Sequence, residues 1–208
     1  MSVQGTVVSL PSGPITALPP DYREAYAARV NQRRAWPPLL ALTLAALLIS
    51  GGLLFGALAA YHAAGAPLVI GALPDDVPRS LGYALVLAVL PLHEGVHGRM
   101  IRRCGHSPRY GLKWYALYTT ADSAYFRRDE YLRVLLAPLV VITLAGLAAL
   151  PFLPPGLASW VALAVVVNAS GAGGDLWMAL ITRHCDPAAL IRDEADGMRI
   201  YLPPVAAS

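Results

Sequence analysis

Long stretches without charged side chains predict helices that cross a membrane. No Asp, Glu, Lys or Arg occurs from Ala35 to Pro74, and Leu39–Tyr61 within it is strongly apolar. About 20 such residues cross the hydrocarbon core of a bilayer. A second candidate starts with Ser80–Leu92, and a third uncharged stretch covers Val134–Gly174.

The third stretch is long enough to be divided. Helix-breaking residues interrupt it at Pro151, Pro154, Pro155 and Gly156. Because proline does not continue a helix, Val134–Leu153 and Leu157–Thr182 are predicted to be separate spans joined by a tight hairpin. The pattern therefore predicts four transmembrane helices. Buried helices of a soluble protein are the alternative, although such helices usually keep a polar stripe.

Two of the segments outside the spans also carry local signals. Asp21 is a candidate cap for an amphipathic helix over Tyr22–Arg34 that lies along the inner membrane face. Tyr110–Tyr118 is rich in aromatic and β-favouring residues, and Thr119–Ser123 offers a turn before Ala124–Phe126. This pattern predicts a β-hairpin near the membrane surface, with an interfacial loop anchored by aromatic residues as the alternative.

Composition supports a membrane protein. Charged residues make up 14% of the 208 residues, apolar residues make up 56%, and the mean hydropathy is +0.52. These values exclude a disordered chain and a nucleic-acid-coating chain, despite the net charge of +3. Cys104 and Cys185 are too few for a disulfide framework.

The basic residues indicate the orientation. Of the 16 Lys and Arg residues, all except Arg79 fall on one side of the predicted spans. The positive-inside rule places that side, with both termini, in the cytoplasm. The expected fold is therefore an all-α polytopic membrane protein with about four transmembrane helices and a short hairpin-like interfacial loop. Residues 1–38 form a cytosolic tail with an interfacial helix, and residues 39–208 form the four-span domain.

One motif carries chemistry. His93-Glu94-Gly95-Val96-His97 matches H-E-x-x-H. On a helix, residues four apart share a face, so both imidazoles can bind one Zn²⁺ while Glu94 acts on a water molecule beside the metal. A polar helix end with two interfacial histidines is the alternative interpretation.

A catalytic zinc site needs a third protein ligand. The candidates are Asp122, Glu130, His106, His184, Asp186 and Asp175. The expected depth in the membrane favours Asp175. From Ser80 to His97 the predicted helix is about 26 Å long, and from Leu157 to Asp175 it is about 27 Å long, so both sites lie at a similar depth. The two spans are predicted to run parallel, and the small residues before Asp175 allow close helix packing. An ordinary charge at the helix end is the alternative for Asp175.

Asn168 lies two helical turns before Asp175, on the same face. A buried amide needs hydrogen-bond partners. Asn168 either binds the backbone of a substrate near the metal or forms a hydrogen bond between helices.

These residues resemble a family of bacterial membrane proteins described as zincin peptidases. The resemblance rests on Leu92–Gly98, on Leu135–Pro138 and on Asn168 with Gly174-Asp175, and it covers about Leu81 to Leu202. More distantly the chain is similar to the site-2 protease class of intramembrane metalloproteases. Site-2 proteases usually place the third ligand in an Asp-Gly context, whereas Asp175 is followed by Leu176.

The resemblance implies roles for individual residues. His93, His97 and Asp175 would be zinc ligands, and Glu94 would be the catalytic base. The hairpin after Tyr110 would dock substrate, with Trp114 and Tyr118 as contacts. The implied location is the bacterial plasma membrane.

The sequence thus predicts a membrane-embedded zinc metalloprotease that hydrolyses peptide bonds at or near the cytosolic membrane face. Its expected partners are the lipid bilayer and a membrane protein or peptide substrate, and no nucleic acid. A substrate strand can add to an edge strand at Tyr110–Tyr118. The alternatives are a non-proteolytic metal-binding or transport protein and a catalytically silent scaffold, although transporters usually line their pathway with polar groups on several spans.

Overall fold

The computed structural model describes residues 12–65, 79–113, 116–121 and 123–204. The helices are α1 (Trp36–Ala63), α2 (Arg79–Arg103), α3 (Arg128–Ala149), α4 (Pro155–Gly171) and α5 (Gly173–Thr182). The strands are β1 (Arg23–Arg29), β2 (Arg109–Lys113), β3 (Ala116–Thr120), β4 (Phe126–Arg127), β5 (Leu190–Glu194) and β6 (Gly197–Leu202).

The strands make the all-α prediction wrong. One antiparallel sheet has the order β1-β6-β5-β4, and β2 pairs with β3 in a separate two-stranded sheet. The predicted interfacial helix over Tyr22–Arg34 is also wrong, because Arg23–Arg29 pairs with Leu202–Gly197 as strand β1. The local sequence of β1 permits a helix, and its pairing with a distant strand decides against it.

The prediction of four spans is wrong as well. Within the described residues, two helical segments are long and apolar enough to cross a membrane, Arg33–Ala60 and Arg128–Phe152. The pair α4 and α5 qualifies as a third only if it is taken together across a bend of 45°. Helix α2 does not qualify, because its second half carries Glu94 and a series of arginines.

The bend between α4 and α5 has a local cause. Gly171, Gly173 and Gly174 surround Ala172, and glycine weakens a helix. A Cβ on Gly173 would collide with the hydroxyl of Thr43 in α1. The absence of a side chain therefore lets the start of α5 lie against α1.

The principal core lies between the four-stranded sheet and the helices. Ile101 of α2, Tyr131 of α3 and Trp177 of α5 pack with Ile191 and Met198 of the sheet. The side chains of Ile191 and Met198 are completely buried. The sheet therefore joins the helices that carry the candidate site residues.

A β-hairpin is present in this region, but the predicted turn at Thr119–Ser123 is wrong. The observed strands are β2 and β3, which pair from Arg109 with Thr120 to Lys113 with Ala116, so Thr119 and Thr120 belong to a strand. The predicted second strand is wrong as well, since Tyr125 pairs with Ile15 and Phe126 pairs with Ile191.

Candidate metal centre

Helix α2 presents both histidines of the motif on one buried face. His93 and His97 are 9% and 7% exposed, and their Nε2 atoms lie 3.2 Å apart. The spacing of four residues places one ring a single helical turn above the other. Two nitrogen ligands therefore converge on one point.

Asp175 completes the group from the first turn of α5. Its Oδ2 atom lies 3.1 Å from His93 Nε2 and 3.4 Å from His97 Nε2. The structure thus brings together His93, His97 and Asp175, the three residues that the sequence places at the same depth. In the described part of the chain, these three form a group that can hold a metal ion.

Hydrogen bonds on the far side of each ring determine the positions of its protons. His97 Nδ1 lies 2.9 Å from the carbonyl oxygen of Val134, which can only accept, so Nδ1 donates. Asn168 Nδ2 donates to the carbonyl of Pro138 at 3.3 Å, which turns Asn168 Oδ1 towards His93 Nδ1 at 3.0 Å. In the neutral form of each ring, which is the form that binds a metal, the Nε2 atom therefore presents a lone pair towards Asp175.

This donor set fits a divalent cation. Three atoms with lone pairs repel one another at such distances, and a single proton can bridge only one pair of them. In a tetrahedral zinc site with bonds of about 2.0–2.1 Å, neighbouring ligand atoms lie about 3.3–3.4 Å apart. The observed separations of 3.1, 3.2 and 3.4 Å match that geometry closely.

Glu94 lies next to the three candidate ligands but is not one of them. It is partly buried and lines a cavity of about 230 Å³ together with His93, His97 and Asp175. Thr119 of β3 donates a hydrogen bond to the backbone carbonyl of Glu94 at 3.1 Å. A carboxylate and the cation ligands therefore face the same solvent-accessible space.

Sequence reasoning missed Asp193, which lines the same cavity from β5. Its carboxylate accepts a hydrogen bond of 2.7 Å from the hydroxyl of Tyr131. Burial nevertheless raises the pKa of Asp193 to about 6. The Asp196-Gly197 pair, which follows Leu190–Glu194 and precedes Met198–Leu202, is a sequence signal for the hairpin that carries Asp193.

The residues expected to bind substrate have different positions. Asn168 is 1% exposed, and its amide is hydrogen-bonded to α2 and α3, which is the interhelical contact that the sequence left open. Its contact with a substrate stays a prediction. Tyr118 lines the cavity beside Glu94. Trp114 lies outside the described residues.

The other candidates for a third ligand are engaged elsewhere. Glu130 pairs with Arg127, His184 bonds the carbonyl of Leu180, and Asp186 accepts from the backbone of Ala188. His106 packs against Phe126. Asp122 lies outside the described residues.

Comparison with models of protein families identifies a family for this chain. A family model with the description "Putative zincin peptidase" matches residues 86–190, a range that contains His93, Glu94, His97 and Asp175. Neither the curated proteins nor the solved structures contain a match. The more distant similarity to site-2 proteases stays a prediction. Since the matched range covers half of the chain, the protein belongs to this zincin peptidase family.

Proposed function

We propose that this protein is a membrane-embedded zinc metallopeptidase that hydrolyses peptide bonds at or near the cytosolic membrane face. One observation carries the proposal: His93, His97 and Asp175 present three lone pairs at the spacing of a tetrahedral zinc site. The family match supports the same chemistry. Three protein ligands leave a fourth position, as catalytic zinc sites do.

Each residue has a part in this reaction. A bound zinc ion supplies a Lewis acid that lowers the pKa of water and polarises the peptide carbonyl. Glu94 takes a proton from the attacking water and passes it to the nitrogen of the departing amine. Asn168 and the Val134 carbonyl hold the two imidazoles in the tautomer that binds metal.

Strand β3 is the proposed docking edge for substrate. It pairs with β2 on one side, and in the described part of the chain its other edge has no strand partner. Leu117, Tyr118 and Thr119 line the cavity that contains Glu94. An extended peptide can add to this edge through main-chain hydrogen bonds, with Tyr118 and Trp114 as contacts.

The charge distribution supports a membrane location with both termini in the cytoplasm. Helices α1 and α3 are long and apolar enough to span a membrane. The four-stranded sheet joins the start of α1, the start of α3 and the chain after α5, so these ends lie on one side. Five arginines lie at or next to these helix ends: Arg33, Arg34, Arg127, Arg128 and Arg183. The positive-inside rule makes this the cytosolic side.

The substitution Glu94→Gln tests the proposal. We expect the variant to bind zinc like the wild type, because Glu94 is outside the ligand group, and to lose at least about 100-fold in kcat for a peptide, the usual contribution of an acid–base catalyst. Zinc is measured by mass spectrometry of the purified protein, and hydrolysis is measured with an unstructured quenched-fluorescent peptide. Unchanged hydrolysis by the variant contradicts the role of Glu94. Zinc binding by a wild type that hydrolyses no peptide favours a transport or binding protein.

A further inference from the structure

Two cavities meet at Glu94. The first, here called the polar cavity, has a volume of about 230 Å³ and extends from Asp175 towards the turn between β5 and β6. The second, here called the apolar cavity, has a volume of about 290 Å³ and lies between α2, β3 and α4. His93, Glu94, Leu117 and Gly171 line both. A peptide beside Glu94 can therefore reach into either cavity.

The walls of the apolar cavity favour an apolar group. Val89 and Leu90 of α2, Leu117 of β3 and Val167 of α4 supply its sides. The ring of His93 and the amide of Asn168 stand at its inner end, and their Nδ1, Oδ1 and Nδ2 atoms are already hydrogen-bonded within the protein. An apolar group loses contact with water there, which contributes about 25 cal/mol per Å².

The hairpin orients a bound chain towards this cavity. Successive side chains of a strand point to opposite faces, so Leu117 and Thr119 share the face of β3 on which Thr119 bonds Glu94. Leu117 therefore contributes to both cavities at the edge where substrate is expected to add. A substrate strand added at this edge would run beside Leu117 and Glu94, which line the apolar cavity.

We propose that the apolar cavity is the specificity subsite of this enzyme, which binds one large apolar side chain, of the size of leucine or phenylalanine, next to the scissile bond. This inference rests on the proposed peptidase function. The subsite selects substrates by the size and apolar character of this side chain. Gly171 and Val167 are the residues that determine the size of the subsite.

Gly171 offers a direct way to fill the subsite. A Cβ at this position would meet no atom within 4 Å, so the first atom of a valine side chain enters open space beside the cavity. Gly95 is the matched control, because its Cβ also meets no atom within 4 Å and it lines neither cavity. Val167→Ala makes the opposite change, since it removes two methyl groups from the wall.

The test measures kcat/KM for peptides that differ in one residue, Ala, Leu or Phe, within an otherwise constant polar sequence. A well-filled apolar pocket discriminates by about 10-fold or more. We expect the wild type and Gly95→Val to prefer Leu over Ala by at least that factor. In Gly171→Val the preference falls below about 3-fold, and in Val167→Ala the ratio of Phe to Leu rises at least about 3-fold. Equal kcat/KM for all peptides overturns the inference, as does a uniform loss in Gly171→Val.

Binding to Glu94→Gln separates this inference from the proposed function. The same peptides, labelled for fluorescence anisotropy, bind this variant without turnover. Tighter binding of the Leu peptide that is lost on adding Gly171→Val supports the subsite even if the wild type hydrolyses nothing. Hydrolysis by the wild type, with equal binding of the Leu and Ala peptides by both variants, supports the peptidase and overturns the subsite.

Discussion

At the scale of single residues, Asn168 links the sequence to the chemistry of the metal centre. Its amide bonds the ring of His93 on α2 and the carbonyl of Pro138 on α3, so it fixes both the tautomer and the orientation of that ring. We expect Asn168→Ala to weaken zinc binding by about 10–100-fold, the usual effect of losing a partner of a ligating histidine. Competition with a fluorescent zinc chelator measures the affinity.

Ser170→Ala is the control for this substitution. Ser170 lies two residues further along α4, and its hydroxyl bonds the carbonyl of Val166 inside the same helix. Its loss should leave zinc affinity unchanged within about twofold, since the bond touches no ligand. Wild-type affinity in Asn168→Ala would show that Asn168 only joins the helices.

At the scale of elements, the contact between α1 and α5 positions Asp175. Gly173→Ala would place a Cβ against the hydroxyl of Thr43, and overpacking of this kind costs about 1–3 kcal/mol. We expect the start of α5 to shift, with a loss of at least about 10-fold in zinc affinity, because a carboxylate ligand must stay within about 2.0–2.2 Å of the metal. Thermal unfolding and zinc titration measure both effects.

The same contact allows a rescue experiment. Thr43→Ala removes the hydroxyl that the new Cβ would meet, so the double variant Thr43→Ala/Gly173→Ala should recover most of the zinc affinity. Gly174→Ala is the matched control, because its Cβ would meet no atom within 4 Å. If Gly174→Ala loses zinc as strongly as Gly173→Ala, the cause is the helix bend and not the contact with Thr43.

Local pattern predicted some elements and failed for others for a physical reason. The apolar run of α1 has no competing structure, so Leu39–Tyr61 coincides with the inside of a helix that covers Trp36–Ala63. Strand β1 has the local sequence REAYAAR, which permits a helix, and its partner β6 lies more than 160 residues further along the chain. The local sequence of β1 does not indicate that it pairs with β6. Strand formation there is decided by the tertiary context.

At the scale of the whole molecule, the depth argument succeeded although its premises were partly wrong. Helix α2 does not qualify as a span, and the predicted fourth span bends by 45° before Asp175. The carboxylate still meets both histidines, because the bend at Ala172 is compensated by close packing of α5 against α1. Spacing along two neighbouring helices was sufficient to predict the ligand group. The hairpin that supplies Asp193 required pairing information that spacing does not contain.

The metal centre should also stabilise the molecule as a whole. Its ligands lie on α2 and α5, and its supporting hydrogen bonds reach α3 and α4. Zinc at a thousand times its Kd contributes about 4 kcal/mol to the stability of the folded state. Each kcal/mol raises Tm by about 2–4 °C in a chain of this length. We therefore expect a chelator to lower Tm by roughly 8 °C or more, measured by differential scanning fluorimetry in detergent. Glu94→Gln should respond like the wild type, whereas His93→Ala should show the low Tm with or without zinc. Equal Tm values for the wild type with zinc and with chelator would mean that no metal joins these helices.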